Sequence, residues 1–301
     1  MKTKTKMLRF PKVGRIGLIH ERSGLGSANG LMNFDTNLHA EVTRDGKPVQ
    51  AKEVMSRWSR FWNNIDGRST SIDLGSGLVT NIGVAALANE AITLASPSGA
   101  RINTLFLANY HASGTGASAA AATDFKIQTI SANGGQTPVA GAQTIDTTST
   151  IAVPKYKTVA TISYTGTEAV TEWGLFTNGT LSTTTGTPFT TTSATTFTAT
   201  GTPFTASSST VQGLQQQIVI AGTTTVLGLI SSNTTSVGTL FNNGTTGWFT
   251  QAAQTAGATP GTTEAYSLRP IMWDHKVFSA INVVNGDSIQ FTYTLTINSG
   301  G

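Results

Sequence analysis

Four histidines, no cysteine and a handful of neighbouring carboxylates are the residues of this 301-residue chain that could carry acid–base or metal chemistry. His20, His39, His111 and His275 stand far apart, none at ligand spacing from another, and no thiol supplements them. The spacing of a zinc site is therefore missing. Glu168 and Glu172 could form a carboxylate pair beyond a turn at Gly166, and Asp274 adjoins His275. Pairs of this kind serve general acid–base hydrolysis. Each reads more simply as structural: an edge carboxylate in one case, a polar pair at a strand end in the other. Serine and threonine abound, yet no Gly-x-Ser-x-Gly elbow presents one as a nucleophile. No catalytic residue, cofactor site or metal site is expected.

The chemistry that remains is that of surfaces. Residues 1–70 hold 13 of the 19 Lys and Arg against 6 Asp and Glu, a balance of +7, whereas the rest of the chain balances to −3. A basic stretch suits an acidic protein partner, an anionic surface or nucleic acid, and equally a solvated terminus. Within it, Val54, Trp58, Phe61 and Trp62 recur at helical spacing with Arg57 and Arg60 between them, which predicts a short amphipathic helix over residues 51–64. Two tryptophans in so short a helix require cover, either from the chain's own sheet or from a partner subunit, where Trp and Arg dominate binding energy. The candidate docking residues are Arg9, Lys12, Arg15, Arg57, Trp58, Arg60, Phe61 and Trp62.

The elements that must position these residues are strands. Ile289, Phe291, Tyr293, Leu295 and Ile297 alternate with polar residues. Together with residues 277–284 and the Asn285-Gly286-Asp287 turn they predict a β-hairpin. Phe34 to Val42 alternate likewise before Asp45-Gly46, a second hairpin candidate. Residues 79–91 suit a helix capped by Thr80, and strands are expected over 102–110, 157–165 and 169–176. Short strands between glycine turns argue for a mainly β, antiparallel sandwich of jelly-roll-like form. No apolar run has the length of a signal-peptide core or a membrane span, so neither export nor membrane insertion is expected.

Residues 178–267 differ in character. They contain no Lys or Arg, Thr supplies 14 of the 26 residues over 180–205, and Gly-Thr-Pro-Phe-Thr occurs twice. This is a low-complexity insertion whose apolar runs predict a sheet-rich outer subdomain. The expected organisation is a basic N-terminal arm and docking region over 1–70, a sandwich over 71–177 plus 268–301, and the insertion over 178–267.

Several stretches together resemble a known group. They are Leu78-Val-Thr-Asn-Ile-Gly-Val-Ala-Ala-Leu, the run from Asn109-Tyr-His-Ala-Ser-Gly to Asp124, Tyr156-Lys-Thr-Val-Ala-Thr-Ile-Ser-Tyr-Thr, Val170-Thr-Glu-Trp-Gly-Leu-Phe, and the run from Trp273-Asp-His-Lys-Val-Phe to Ile297. This set is similar to structural proteins of tailed double-stranded DNA bacteriophages, over about residues 78–176 and 273–297. The resemblance implies a non-enzymatic virion component, made in the host cytoplasm and bound to other virion proteins. A capsid decoration or head-fibre-like protein comes first; a neck or tail component such as a receptor-binding fibre is the alternative. A glycan-degrading hydrolase would require a catalytic carboxylate pair, and Glu168 and Glu172 read more simply as structural. In relatives of this kind the Trp-Gly-Leu-Phe strand runs almost directly into the Trp-Asp segment, so the insertion's role is not implied. Sheet edges low in charge point to a homo-oligomer, most simply a trimer. The insertion's uncharged hydroxyl-rich surface suits a host-surface glycan better than nucleic acid, and direct nucleic-acid binding is not expected.

Overall fold

The period-2 segments of the sequence become strands, and those outside the Thr-rich insertion divide between two antiparallel sheets that lie face to face. The computed structural model of the protein describes residues 32–84, 86–87, 107–151, 153–179 and 266–299, together with the strands between 183 and 256 named below. In chain order the first are β1 (Met32–Arg44), β2 (Lys47–Pro48), β3 (Ser71–Gly75), β4 (Leu78–Val79), β5 (Tyr110–Gly114), β6 (Val139–Ala140), β7 (Ala142–Ile145), β8 (Lys155–Ser163) and β9 (Glu168–Phe176). Next come β10 (Thr183–Thr184), β11 (Thr190–Thr191), β12 (Thr196–Thr198), β13 (Gln216–Ile220), β14 (Val226–Asn233), β15 (Val237–Leu240), β16 (Phe249–Thr250) and β17 (Thr255–Ala256). The last are β18 (Tyr266–Pro270), β19 (Met272–Val283) and β20 (Ser288–Ser299). Helices α1 (Ala51–Val54) and α2 (Arg57–Trp62) precede β3. A further helical stretch at 81–84 and 86–87 starts as the sequence predicts, with Thr80 Oγ1 accepting the Gly83 N–H at 3.1 Å. Among the described residues no helix is long and apolar enough to cross a membrane.

One sheet has the order β2-β1-β20-β8-β7 with β3 also on β1; the other runs β4-β19-β9-β5-β6. Their inner faces make one core: Leu38, Ala40, Val42, Ile289, Phe291, Tyr293 and Leu295 from the first sheet meet Val170, Trp173, Leu175, Trp273, Ile281 and Val283 from the second. All are fully buried, and each large side chain so buried contributes about 1.5–3 kcal/mol of transfer free energy. Trp173 stacks on Tyr293 across the sheets, ring centroids 5.5 Å apart at 26°.

The expected sandwich is the observed fold, but two of its turns differ from expectation. Residues 277–297 do not pair as a hairpin: β19 pairs with β9 and β4, while β20 pairs with β1 and β8. The turn before β20 is an arch from one sheet to the other, and the turn at Gly166 makes the same crossing from β8 to β9. Alternation reports which face of a strand is buried. An arch and a hairpin both satisfy it, which is why the sequence alone favours the commoner connection. The two arches bond to each other, Gly286 N–H to Tyr164 O at 2.9 Å and Tyr164 N–H to Asp287 O at 2.8 Å. By contrast β1 and β2 do form the predicted hairpin, with Asp45 and Gly46 at φ of 51° and 73° as a two-residue loop requires.

A boundary at residue 70 also does not hold. β1 pairs along its length with β20, from Met32↔Ser299 to Thr43↔Ser288, and places three residues in the core. Residues 32–70 therefore belong to the sandwich; residues 1–31, with Arg9, Lys12 and Arg15, lie outside the described residues. So does most of the strand expected over 102–110; in the described part strand begins at Tyr110.

The Thr-rich insertion contributes a sheet of its own, ordered β10-β18-β13-β14-β15-β12-β11, and a separate β16-β17 pair. β18 belongs to this sheet and crosses the expected boundary at 267. The insertion leaves and returns between neighbours: Phe176 pairs with Met272, and Thr177 N–H donates to Ile271 O at 3.1 Å. It occupies the place of a hairpin loop joining β9 to β19. Gln217 Nε2 bonds the Phe125 and Pro270 carbonyls at 3.3 and 3.0 Å, and the Arg269 guanidinium lies 5.7 Å from the Phe125 ring centre.

Candidate functional site

The docking residues that the structure describes share one short element. Ala51, Val54 and Met55 are buried, which fixes α1 on the sandwich. The Ala51 and Lys52 N–H groups donate to the Ser69 and Gly67 carbonyls at 2.8 and 3.0 Å, and Asn282 Nδ2 holds the Val54 carbonyl at 3.1 Å. The single helix predicted over 51–64 breaks at Met55 and Ser56, both extended. Met55 turns into the core, and Ser56 caps a new helix, its Oγ accepting the Ser59 N–H at 3.0 Å. A serine that can cap has reason not to sit mid-helix. Asn63 closes α2, its Nδ2 donating to Ser59 O at 2.7 Å and to Ser279 Oγ on β19 at 2.9 Å.

This break rotates the aromatic face of α2 away from the core. Trp58, Phe61 and Trp62 are 71%, 69% and 77% exposed, so packing on the chain's own sheet does not occur. The three rings meet edge to face, 6.4 Å from Trp58 to Phe61 and 5.6 Å from Phe61 to Trp62. Beside them stand Arg57 and Arg60 on the same helix. The Arg60 guanidinium lies over Gly67, where a Cβ would come within 2.0 Å of it and within 3.3 Å of Lys52 Cβ. Arg68 follows directly. None of these four cations makes an ion pair among the described residues. Beyond α2 an open cleft of about 450 Å³ separates the turn at Asn63 and Asn64 from edge strand β3 and is lined by Asp66, Ser71 and Asp73.

The titratable residues singled out in the sequence come together elsewhere, in a buried polar centre. Glu172 does not pair with Glu168. Glu168 accepts from Ser131 Oγ and, at 3.3 Å, from Asn133 Nδ2. Glu172 Oε1 faces His275 Nε2 at 2.8 Å, while His275 Nδ1 faces Asp124 Oδ2 at 2.7 Å. An imidazole between two carboxylates donates from both nitrogens only as the cation. Burial alone would lower the His275 pKa, but the hydrogen bonds to Glu172 and then Asp124 outweigh it and raise the value. Glu172 also accepts the N–H groups of Gln128, Gly116 and Thr129 at 2.5, 3.1 and 3.2 Å. The centre thus clamps the small-residue loop after β5 onto β9 and β19. Its acceptors are taken up by the protein's own backbone, and neither the His275 nor the Glu172 side chain is exposed.

Two further buried polar groups are bonded to the core aromatics Trp273, Tyr293 and Trp173. Tyr293 accepts from Trp273 Nε1 and donates to Asp274 Oδ2, both at 3.0 Å, and burial pushes the Asp274 carboxyl up to about 7. His111 takes the opposite state to His275: Trp173 Nε1 donates to its Nδ1 at 3.1 Å, its Nε2 meets Thr158 Oγ1 at 3.2 Å, and burial pulls its pKa down to about 3. The Glu172–His275 contact is legible only once the strands are registered, because β9 and β19 set Gly174 opposite His275 and so place Glu172 two residues away on the same face. Asp124, 151 residues from its partner, carries no such signal. Compared with protein-family models, with curated proteins and with solved structures, the chain matches none.

Proposed function

We propose that this protein is a non-enzymatic structural component of a tailed bacteriophage virion, a capsid decoration or head-fibre-like protein, that docks on the particle through α2. The observation that carries the docking role is the exposure of Trp58, Phe61 and Trp62 on a helix held in place by its neighbour α1, whose Ala51 and Val54 are buried. Three large aromatics left in water forgo several kcal/mol, roughly 1.5–3 kcal/mol for each side chain that burial would cover. Clusters of Trp and Arg are also where interface energy concentrates. The virion assignment draws on the sequence resemblance over residues 78–176 and 273–297. The buried polar centre supports the non-enzymatic reading, because its acid and base groups are spent on holding a loop.

The test is the composition of particles produced from a genome that encodes the chain with Trp58, Phe61 and Trp62 all changed to Ser. The unchanged chain should be found in purified particles at a copy number that follows the capsid lattice, and the variant should be folded in the lysate and missing from the particles. A wild-type chain absent from the particle overturns the virion reading. A small ring of copies moves the placement to the neck or tail.

A further inference from the structure

Resting on that docking reading, we infer that the occupant of the α2 surface is a different protein presenting an apolar recess rimmed by carboxylates, and neither a second copy of this chain nor a nucleic acid. The aromatic face does not stand alone. Residues 51–70 hold Lys52, Arg57, Arg60 and Arg68 against only Glu53 and Asp66. The Arg60 guanidinium lies over Gly67 beside the Cβ of Lys52, Arg68 is the next residue, and Arg57 lies one helical turn from Arg60. Arg57 and Arg60 therefore form a basic ridge beside the rings, with the backbone of Lys52 and Arg68 close by. Arg60 Nε is buried without a hydrogen-bond partner among the described residues, and no acid of the described chain lies within ion-pair distance of the ridge. A guanidinium so placed is matched best by a carboxylate with two acceptor oxygens.

A ring such as a trimer would have to set the ridge on a different face of the next copy, which the oligomeric state of the aromatic variant tests. Around a two-fold axis, self-association through this surface would bring ridge against ridge, because an isologous interface pairs a patch with itself. Like charges would then be buried without counter-ions, at several kcal/mol of cost. A nucleic acid fits no better. A phosphate backbone is met by a track of cations, whereas here the cleft adjoining α2 is lined by Asp66 and Asp73, which a polyanion would avoid. An acidic rim around an apolar pocket answers both halves of the surface: carboxylates to the ridge, the pocket to the three rings.

The experiment uses the full chain and particles assembled from a genome lacking its reading frame, with binding followed by co-sedimentation. Binding should weaken at least tenfold as salt rises from about 50 mM to about 500 mM, because the screening length falls severalfold over that range. Arg57→Glu with Arg60→Glu should lose at least tenfold, and Arg57→Lys with Arg60→Lys should retain most of the binding. The aromatic variant Trp58→Ser, Phe61→Ser, Trp62→Ser should leave the oligomeric state of the free chain unchanged in sedimentation. The inference is overturned if the chain binds particles with no response to salt or charge reversal, or if the aromatic variant dissociates an oligomer, which would make a second copy the occupant. Binding of a single-stranded oligonucleotide that quenches Trp58 and Trp62 would overturn it as well. If the chain is absent from native particles and binds none at any salt, the virion reading itself fails and takes this inference with it.

Discussion

His275 Nε2 donates to Glu172 Oε1 at 2.8 Å, between two side chains with no exposed surface, on neighbouring strands of one sheet. The contact holds His275 as the cation and, through Glu172, fixes the path of the loop from Gly116 to Thr129. Removing Glu172 leaves that buried cation with Asp124 as its remaining partner, and a buried charge that loses a partner is strongly destabilising. Glu172→Gln should therefore lower the unfolding free energy by about 3–5 kcal/mol, read by urea denaturation. Gly116→Ala should weaken the same clamp, because its Cβ would lie 2.4 Å from Glu172 Oε2. Since both act on one contact, the double variant should cost less than the two single costs added together.

Stability should be level between about pH 3.8 and 6.5, where the pH dependences of His111 and Asp274 oppose each other, and should fall outside that interval. His111 takes up a proton near 6.5 when unfolded but only at about 3 when folded, so stability is lost as pH drops through that interval. Asp274 behaves in reverse: the unfolded chain releases its proton near 3.8 and the folded one holds it to about 7, so stability declines as pH rises across that span. His275, raised in the folded state, contributes fully below 6.5 and loses its contribution as pH climbs through its folded value. Asp274→Asn should unmask the His111 dependence, stability then rising with pH from about 3.8 to 6.5, and His111→Gln should unmask the Asp274 decline over the same interval, each measured by denaturant midpoints across pH.

Acrylamide quenching should separate the tryptophans. Trp58 and Trp62 are open to solvent while Trp173 and Trp273 are not. Changing both exposed residues to Phe should remove most of the readily quenched signal contributed by these four. Stability should stay within about 0.5 kcal/mol of the parent, as for surface positions in general.

Truncation should respect the sheet rather than the charge boundary. Removing residues 1–70 takes away β1 and with it Leu38, Ala40 and Val42 of the core, so that product should be unfolded by circular dichroism. Removing 1–31 spares every described strand of the sandwich and should leave a cooperative unfolding transition.

Replacing the insertion should be tolerated in the same way. Thr177 and Ile271 are already hydrogen-bonded at 3.1 Å. A short Gly/Ser turn between them would close a hairpin of β9 and β19, and the closure entropy of the long loop, about 4 kcal/mol by the simple polymer estimate, would be relieved. The lost contacts of Gln217 and Arg269 with Phe125 oppose this, so the melting temperature of the sandwich should change by only a few degrees, read by calorimetry.

The sequence disclosed more of the strands than of their partners. Alternation over 289–297 marks the inward face of β20 correctly, and Asp45-Gly46 and Thr80 act locally as their residue types dictate. What alternation does not carry is which sheet a strand joins, so both arches were invisible. On α2 the helical spacing of the aromatic residues is real, but the capping preference of Ser56 decided where the helix began and hence which way the rings face. Glu172 and His275 are conspicuous by type; their meeting depends on register across more than 100 residues of chain.

β20 lies between β1 and β8, so the sheet they share has no continuous set of neighbours until the segment ending at Ser299 is in place. During synthesis the earlier strands would leave the ribosome with their apolar faces uncovered and their central partner still unmade. Contacts this distant along the chain make for slow folding, and uncovered strand edges are open to wrong pairing for as long as the delay lasts. A chain stopped short of β20 would be a substrate for proteases rather than a smaller folded protein, so only full-length copies would survive to be built into anything.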